Sequence, residues 1–236
     1  MVGITCAVYD EAIELIKLLT PEKVRSIHYF TGNIYGQDVS LFLTRPSFKK
    51  NKNNFLEWID LYPISVLLHT GFCGALSNQY SVSDICRIDS VFSITNNQVF
   101  SLNHTFPKEV KRHSIVTVEK PLLSMEDRED PRLKPNHNLV DMESWHLCKL
   151  WSEKKRSMSQ LKIVKIVGDV PGETQLMQSE IKMRAFFVKR GFINKTKIAI
   201  STGIPFFSLY TRKRMLQKTL KECIFREIAA IHDSSK

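Results

Sequence analysis

The sequence places three acidic residues where carboxylate chemistry would be useful, beside apolar segments that are expected to be buried. Glu11 follows the apolar segment 2–8, and Asp169 ends the apolar segment 161–169. Glu143 lies at the start of a predicted helix whose apolar residues recur at intervals of three. Carboxyl groups at the edge of one crevice can donate a proton, activate water or accept hydrogen bonds from hydroxyls. Each acid alone also fits a helix cap or a turn.

Strand-like and helix-like patterns alternate along the chain. Strands are predicted at 2–8, 38–44, 63–71, 83–94, 113–119 and 161–169, and helices at 10–19, 53–62, 141–155, 173–190 and about 206–231. Alternation of this kind favours an α/β domain with a mixed sheet. In such sheets ligands bind beyond the carboxyl ends of strands, which is where Glu11 and Asp169 are predicted to lie.

Two further stretches lie at predicted element ends. In "HTGFCGALS" (69–77), two glycines at the end of a predicted strand would let the backbone approach a ligand closely. "LVDMES" leads into the predicted helix 141–155, in which Asp141 is expected to act as the cap and Glu143 to lie in the first turn. Because a helix N-terminus favours negative charge, Glu143 is expected to stay ionised while partly buried.

Together, four motifs resemble the 5'-methylthioadenosine/S-adenosylhomocysteine nucleosidases, which belong to the superfamily of the purine nucleoside phosphorylases. The motifs are "GITCAVYDE", "HTGFCGALSNQYSVSDICRIDSV", "LVDMES" and "VKIVGDV". They are similar to the family's acidic turn, glycine turn, Met-Glu segment and Ser-Asp strand end, in the family's order, over residues 3 to about 190. The resemblance implies a three-layer α/β/α fold with a central mixed, twisted sheet. It also implies one domain over residues 1–236, with a divergent helical segment from about 191.

The resemblance implies that the chain cleaves the N-glycosidic bond of a purine nucleoside such as methylthioadenosine or adenosylhomocysteine. Asp169 matches the acid that protonates purine N7, and it would have to hold a proton near neutrality. Glu11 matches the carboxylate that orients and activates the attacking water. Glu143 would accept hydrogen bonds from the ribose hydroxyls, and Met142 would pack against the sugar. Further substrate contacts are expected from the glycine turn, at His69, Thr70, Gly71, Phe72 and Gly74.

Several residues depart from the family pattern. Phe72 replaces a small residue and could narrow the space for water or phosphate, and Gly168 replaces a serine whose hydroxyl could orient Asp169. His69 stands where bacterial phosphorylases have an arginine that contacts phosphate. Because phosphate capture favours Arg or Lys, water is expected as the acceptor rather than phosphate. The alternatives are a phosphate-dependent phosphorylase and a nucleoside-binding protein whose catalysis is impaired. "VEKPLL" (118–123) fits the base-contacting loop poorly, so the base stays open.

Composition excludes several other classes of protein. The net charge of +10 comes from short, dispersed basic clusters, which are typical of a solvated surface, so no nucleic-acid binding is expected. Five scattered cysteines without metal-site spacing predict reduced thiols in a cytoplasmic protein, with no metal and no other cofactor. No stretch approaches the roughly 20 apolar residues of a membrane helix, and the N-terminus does not resemble a signal peptide.

The segment beyond about residue 190 fits the resemblance least. A helix from about 206 to 231 would carry an apolar face formed by Phe206, Phe207, Leu209, Tyr210, Leu216, Leu220 and Ile224. The main interpretation is a terminal helix that closes the core. A dimer surface and, because "TRKR" (211–214) lies beside aromatic residues, a membrane-surface helix are the alternatives. The resemblance also implies a homodimer with a small-molecule nucleoside as its partner.

Overall fold

A computed structural model describes residues 1–44, 48–102, 112–122, 125–133, 137–172 and 206–234. Its strands are β1 (Val2–Cys6), β2 (Thr20–Val24), β3 (Ile27–Ile34), β4 (Gln37–Leu43), β5 (Val66–Ala75), β6 (Ile85–Ser93), β7 (Gln98–Ser101), β8 (Arg112–Thr117), β9 (Leu139–Asp141) and β10 (Leu161–Asp169). Its helices are α1 (Tyr9–Ile16), α2 (Phe48–Leu61), α3 (Met125–Arg128), α4 (Ser144–Glu153) and α5 (Phe206–Asp233), with a 3₁₀ turn at Met158–Gln160. The predicted helix 173–190 lies outside the described residues.

The strands form one mixed sheet in the order β10-β6-β8-β9-β5-β1-β4-β3-β2, and β7 pairs with β6. β1 runs parallel to both β4 and β5, and β10 runs parallel to β5. Because β10 also pairs antiparallel with β6, the strands β5, β10, β6, β8 and β9 close into a ring. The prediction of a mixed α/β fold around a central sheet is confirmed. The closure of the sheet was not predicted, because pairing between distant strands has no local sequence signal.

Most predicted strands and helices of the described region are present, with two informative differences. β5 continues through Ala75, so the prediction that 69–77 forms a glycine turn after the strand is wrong: its glycines lie within the strand. The hairpin of β2 and β3 was not predicted, because β2 is a mostly exposed strand whose sequence, TPEKV, is charged and contains proline.

Two large apolar clusters pack on opposite faces of the sheet. Adjacent residues of β5 belong to different clusters: Leu67 packs in the cluster that contains residues of α2 and α4, and Leu68 packs in the cluster that contains residues of α1 and α5. This separation follows from the alternation of side chains along a strand. Helices therefore cover both sides of the described sheet, while three layers over the whole chain stay a prediction. All five cysteines are buried, and none of them forms a disulfide bond.

The C-terminal helix α5 packs against α1. Leu216, Leu220 and Ile224 are buried in the cluster that also contains the α1 side chains. Lys213 pairs with the Asp10 carboxylate at 2.8 Å, and Gln217 Nε2 donates to the Asp10 carbonyl oxygen at 2.6 Å. The described part of this helix thus contributes to the core, while a single domain over residues 1–236 stays a prediction. Within the described ranges, no helix combines the length and apolar character needed to cross a membrane.

Candidate active site

One cavity of about 370 Å³ lies where the carboxyl ends of β1, β5 and β10 meet β9 and the start of α4. Residues predicted from the sequence contribute six of its lining positions: Glu11, Phe72, Gly74, Met142, Glu143 and Asp169. The remaining lining residues are Ala7, Val8, Cys73, Val118, Pro121, Leu122, Arg128, Val140 and Asp141. The segment that matched the base-contacting loop poorly therefore does supply part of the cavity wall.

Glu11 is both a cap and a cavity residue. Its carboxylate accepts backbone hydrogen bonds from Ala7 at 2.9 Å and Val8 at 3.2 Å, as a glutamate in the first turn of a helix can. It also accepts one from Phe72 N on β5, at 3.2 Å. Burial raises the pKa of Glu11, opposed by the positive charge of Lys165 and by these three N–H donors. The carboxylate is thereby fixed in position with its proton affinity increased.

Gly71 provides the room that Glu11 occupies. A Cβ at Gly71 would lie 3.1 Å from a Glu11 carboxylate oxygen, and the residue has φ of +141°, which L side chains rarely adopt. Gly71 itself is not among the residues that line the cavity. Its predicted role in substrate binding is thus replaced, in this geometry, by positioning of the neighbouring acid.

Asp169 reaches the cavity through an irregularity in β10. The pairing register between β10 and β5 shifts between Val167 and Asp169, so that Asp169 lies opposite Gly74. A Cβ at Gly74 would lie 3.2 Å from an Asp169 oxygen, so the absence of a side chain there lets the carboxylate lie against β5. Glu11 lies beside Gly71, and Gly71 and Gly74 are about 10 Å apart along the strand. That span can hold a sugar at one end and a base at the other.

The Asp169 carboxylate forms an ion pair with Arg128 of α3. The Arg128 side chain is 3% exposed and the Asp169 side chain 16%. Arg128 Nη1 also donates to the Ala75 carbonyl oxygen at 2.5 Å, which anchors the guanidinium to β5. The resemblance implied an acid that carries a proton, whereas the structure places Asp169 beside a buried cation.

The start of α4 differs from its predicted geometry. Asp141 is the last residue of β9 and Glu143 the N-cap position, and Glu143 makes no side-chain cap hydrogen bond. Asp141 instead accepts from Ser144 N at 3.1 Å. Burial, followed by repulsion from Asp141 and Glu11, raises the pKa of Glu143 to about 7, although Lys165 opposes the rise. The hydrogen bonding at the helix N-terminus that was predicted to stabilise the Glu143 carboxylate goes instead to Asp141.

A buried lysine lies behind these carboxylates. Lys165 Nζ is 2.9 Å from Asp141 Oδ2 and 2.9 Å from His69 Nε2, and the Lys165 and Asp141 side chains are each 1% exposed. Burial opposes the charge of Lys165, but Asp141 and Glu143 outweigh it and raise the pKa of the lysine. Burial of the Asp141 carboxyl is likewise outweighed, by the charge of Lys165 and by the hydrogen bond from the Ser144 side chain, so the pKa of Asp141 is lowered. The cavity thus has an ionised pair beneath it.

His69 does not line the cavity, contrary to its predicted role in substrate binding. Its Nδ1 is 2.9 Å from Thr5 Oγ1, and its Nε2 faces Lys165. Burial, with the adjacent lysine charge, holds the pKa of His69 well below its ordinary value, so the ring is neutral. Thr70, its neighbour, is also buried within β5 and lies outside the cavity lining. Neither residue is placed to bind a substrate or phosphate in this cavity.

Phe72 and Gly168, the two main departures from the family pattern, lie next to each other in the structure. A Cβ at Gly168 would lie 3.3 Å from Phe72 Cβ, closer than most side chains pack. Phe72 therefore occupies the space that a serine at position 168 would need. The two substitutions are structurally coupled, and Phe72 lines the cavity without filling it.

Three residues of the site were missed by sequence reasoning. Lys165 interrupts the apolar run "IVKIV", and a charge in the middle of a buried strand is a signal that could have been used. Asp141 was noticed only as a cap. Arg128 lies in the charged stretch "MEDRED", where nothing distinguishes it from surface residues. Within the described residues, no group of three His, Cys, Asp or Glu side chains is arranged to hold a metal ion.

Comparison with solved structures finds several similar folds. One is the 5'-methylthioadenosine/S-adenosylhomocysteine nucleosidase of Colwellia psychrerythraea in complex with adenine, with a TM-score of 0.64 and 17% identity, covering 75% of this chain and 86% of that one. A second is the same type of nucleosidase from S. pneumoniae with a transition-state inhibitor, with a TM-score of 0.62 and 16% identity, covering 76% and 90%. MTAN of Chlamydia trachomatis covers 97% of both chains, with a TM-score of 0.60 and 15% identity.

No curated protein matches the sequence at a significant level. Residues 1–168 match the family described as the Phosphorylase superfamily. The matched range contains β1, α1, β5 and the Met142-Glu143 segment, and stops one residue before Asp169. The chain belongs to the Phosphorylase superfamily.

Proposed function

We propose that the protein hydrolyses the N-glycosidic bond of a purine nucleoside. The observation that carries this proposal is the convergence of Glu11, Glu143 and Asp169, from three separate elements, on one cavity. The similar nucleosidase structures and the family membership support the same class of reaction. Substrates with a 5' substituent, such as methylthioadenosine or adenosylhomocysteine, follow from the resemblance.

In this proposal the bond between sugar C1' and purine N9 breaks, and the leaving base needs a proton at N7. Asp169 delivers that proton. The step requires that Asp169 carry a proton in the nucleoside complex, and its side chain, which is 16% exposed, is accessible from the cavity. General acid catalysis of this kind contributes roughly 10²- to 10⁴-fold in rate.

At the other end of the cavity, Glu11 takes a proton from the attacking water, whose oxygen bonds to C1'. A carboxylate with raised pKa is a better base near neutrality than an ordinary glutamate. Its three backbone hydrogen bonds hold it in one orientation. Its negative charge also stabilises the positive charge that develops on the sugar. The products are the free base and the sugar with a hydroxyl at C1'.

Glu143 and Met142 are proposed to hold the sugar between the two reacting ends. An ionised Glu143 accepts hydrogen bonds from both ribose hydroxyls, which a neutral carboxyl does less well. Since the pKa of Glu143 is about 7, binding of ribose is expected to improve as the pH rises through this value. Met142 is half-buried against a neighbouring apolar cluster and offers an apolar surface to the sugar ring.

The test is release of base from a panel of purine nucleosides, with and without inorganic phosphate. The panel contains methylthioadenosine, adenosylhomocysteine, adenosine and inosine. We expect release without phosphate, and a loss of about 100-fold or more in Asp169→Asn and Glu11→Gln. The matched control is Asp10→Asn, because Asp10 lies next to Glu11 on α1 but faces Lys213 rather than the cavity. Release only with phosphate, or undiminished release by Asp169→Asn, would overturn the proposal.

A further inference from the structure

The position of Arg128 bears on which purine base the site accepts. Arg128 and Asp169 line the same part of the cavity, and the guanidinium is held by both the Asp169 carboxylate and the Ala75 carbonyl oxygen. A side chain that is 3% exposed and tied to a central strand has a fixed position. The base therefore meets a positioned cation next to its proposed acid.

The chemistry of Asp169 and Arg128 indicates which base the site recognises. The proposed function places Asp169 at purine N7, and the inference rests on that assignment. The substituent at C6 lies on the same edge of the base as N7. A group beside Asp169 on this edge lies next to either C8 or the C6 substituent, and only a C6 substituent can accept a hydrogen bond. We therefore assign Arg128, which has only donors, to the C6 side.

A guanidinium carries only donors and a permanent positive charge. The oxygen of a 6-oxopurine is an acceptor with negative partial charge, and an arginine beside the O6 and N7 acceptors is the commonest specific contact to guanine in nucleic-acid complexes. The 6-amino group of adenine presents donors, so a guanidinium beside it places like partial charges together. We propose that Arg128 makes this site select 6-oxopurine nucleosides, such as inosine or guanosine and their 5'-substituted relatives, over 6-aminopurine nucleosides.

The rest of the cavity agrees with this assignment. Val118, Pro121 and Leu122 supply an apolar wall, which can pack on the face of either kind of purine and therefore does not discriminate between them. Discrimination is left to the polar groups at the edge of the base. Where a buried polar group loses its partner with the wrong substrate, selectivity is large.

The experiment compares matched pairs of ligands that differ only at C6. Calorimetry measures Kd for free hypoxanthine and free adenine, and kcat/KM is measured for inosine against adenosine and for 5'-methylthioinosine against methylthioadenosine. We expect the 6-oxo member of each pair to be favoured by about tenfold or more. Arg128→Met removes the charge and the donors at similar length, and we expect it to bring both members within about threefold or to reverse the order.

The control is Arg132→Met. Arg132 lies four residues after Arg128 and pairs with Asp130. Its side chain is 73% exposed, and it does not line this cavity. If Arg128→Met does not fold, the wild-type comparison of the two free bases still decides the question. A preference for adenine, equal binding of the two bases, binding of neither, or a preference for hypoxanthine that Arg128→Met retains would overturn the inference.

The proposed hydrolysis and the proposed base selectivity can be refuted independently. Equal hydrolysis of 6-oxo and 6-amino nucleosides would refute the selectivity and keep the nucleosidase. Preferential binding of hypoxanthine, lost in Arg128→Met, without base release from any nucleoside would keep the selectivity and refute hydrolysis.

Discussion

Replacing Glu143 by glutamine should stabilise the protein, and the gain should grow with pH. Glu143 is 9% exposed, and its pKa in the folded chain is about 7, against an ordinary value of 4.5. The folded state therefore binds more protons than the unfolded chain between these two values, and stability falls as the pH rises through this window. A rise from 4.5 to about 7 corresponds to about 3 kcal/mol, since each pKa unit is worth about 1.4 kcal/mol.

The stability gained by Glu143→Gln is limited in size and depends on pH over a defined range. Below pH 4.5 the glutamate is protonated in both states, so Glu143→Gln should change the free energy of unfolding little. Above pH 7 the wild-type chain bears the full cost of a buried charge repelled by Asp141 and Glu11. We expect the variant to be more stable there by up to about 3 kcal/mol. A functional carboxylate that costs stability is common in binding sites.

Urea denaturation at pH 5, 6, 7 and 8 measures this difference for wild type and Glu143→Gln. The control is Glu129→Gln, which changes an exposed glutamate and should show no such trend. A difference in stability that stays constant over this range, or a variant that becomes less stable as the pH rises, would refute the reasoning about the charge of Glu143.

Two further substitutions test the packing and charge of the site. Gly168→Ser should destabilise the chain by about 1–3 kcal/mol, because its Cβ would lie 3.3 Å from Phe72 Cβ, and much less in a Phe72→Gly background, which removes that atom; urea denaturation of the four members of the cycle measures the coupling, and additive effects would contradict it. Lys165→Met should lower the free energy of unfolding by about 3–5 kcal/mol at neutral pH, because Asp141 is left buried without its cation, and by less in acid, where Asp141 takes up a proton. Urea denaturation at both pH values, with Lys162→Met as the control, measures this loss. An equal loss at the two pH values would contradict the prediction.

The sequence was sufficient for the elements with a strong local pattern. β1, β10 and α4 were predicted near their observed bounds, because a continuous apolar run or a three-residue spacing marks them. The sheet order and the closure between β5 and β10 were not predicted, since these pairings join residues about a hundred positions apart. β2 was missed for a different reason, because its sequence, TPEKV, is charged and contains proline and does not favour a strand.

For the site, the sequence identified the acids but not their partners. Glu11, Glu143 and Asp169 were placed at element ends, and the fold brings them to one cavity. Which carboxylate is ionised depends on Lys165, and which acid is paired depends on Arg128; both contacts exist only in the folded chain. His69 shows the opposite case, because the resemblance implied a ligand contact for it while the fold buries it against Thr5.

The most direct test of the central claim is cleavage of a purine nucleoside in water enriched in ¹⁸O, with phosphate absent and then present. Mass spectrometry of the sugar product identifies the atom that bonds to C1'. The account predicts one ¹⁸O at C1' under both conditions, and loss of this product in Glu11→Gln. A sugar 1-phosphate without ¹⁸O, or no sugar product from any nucleoside of either base class, would contradict it.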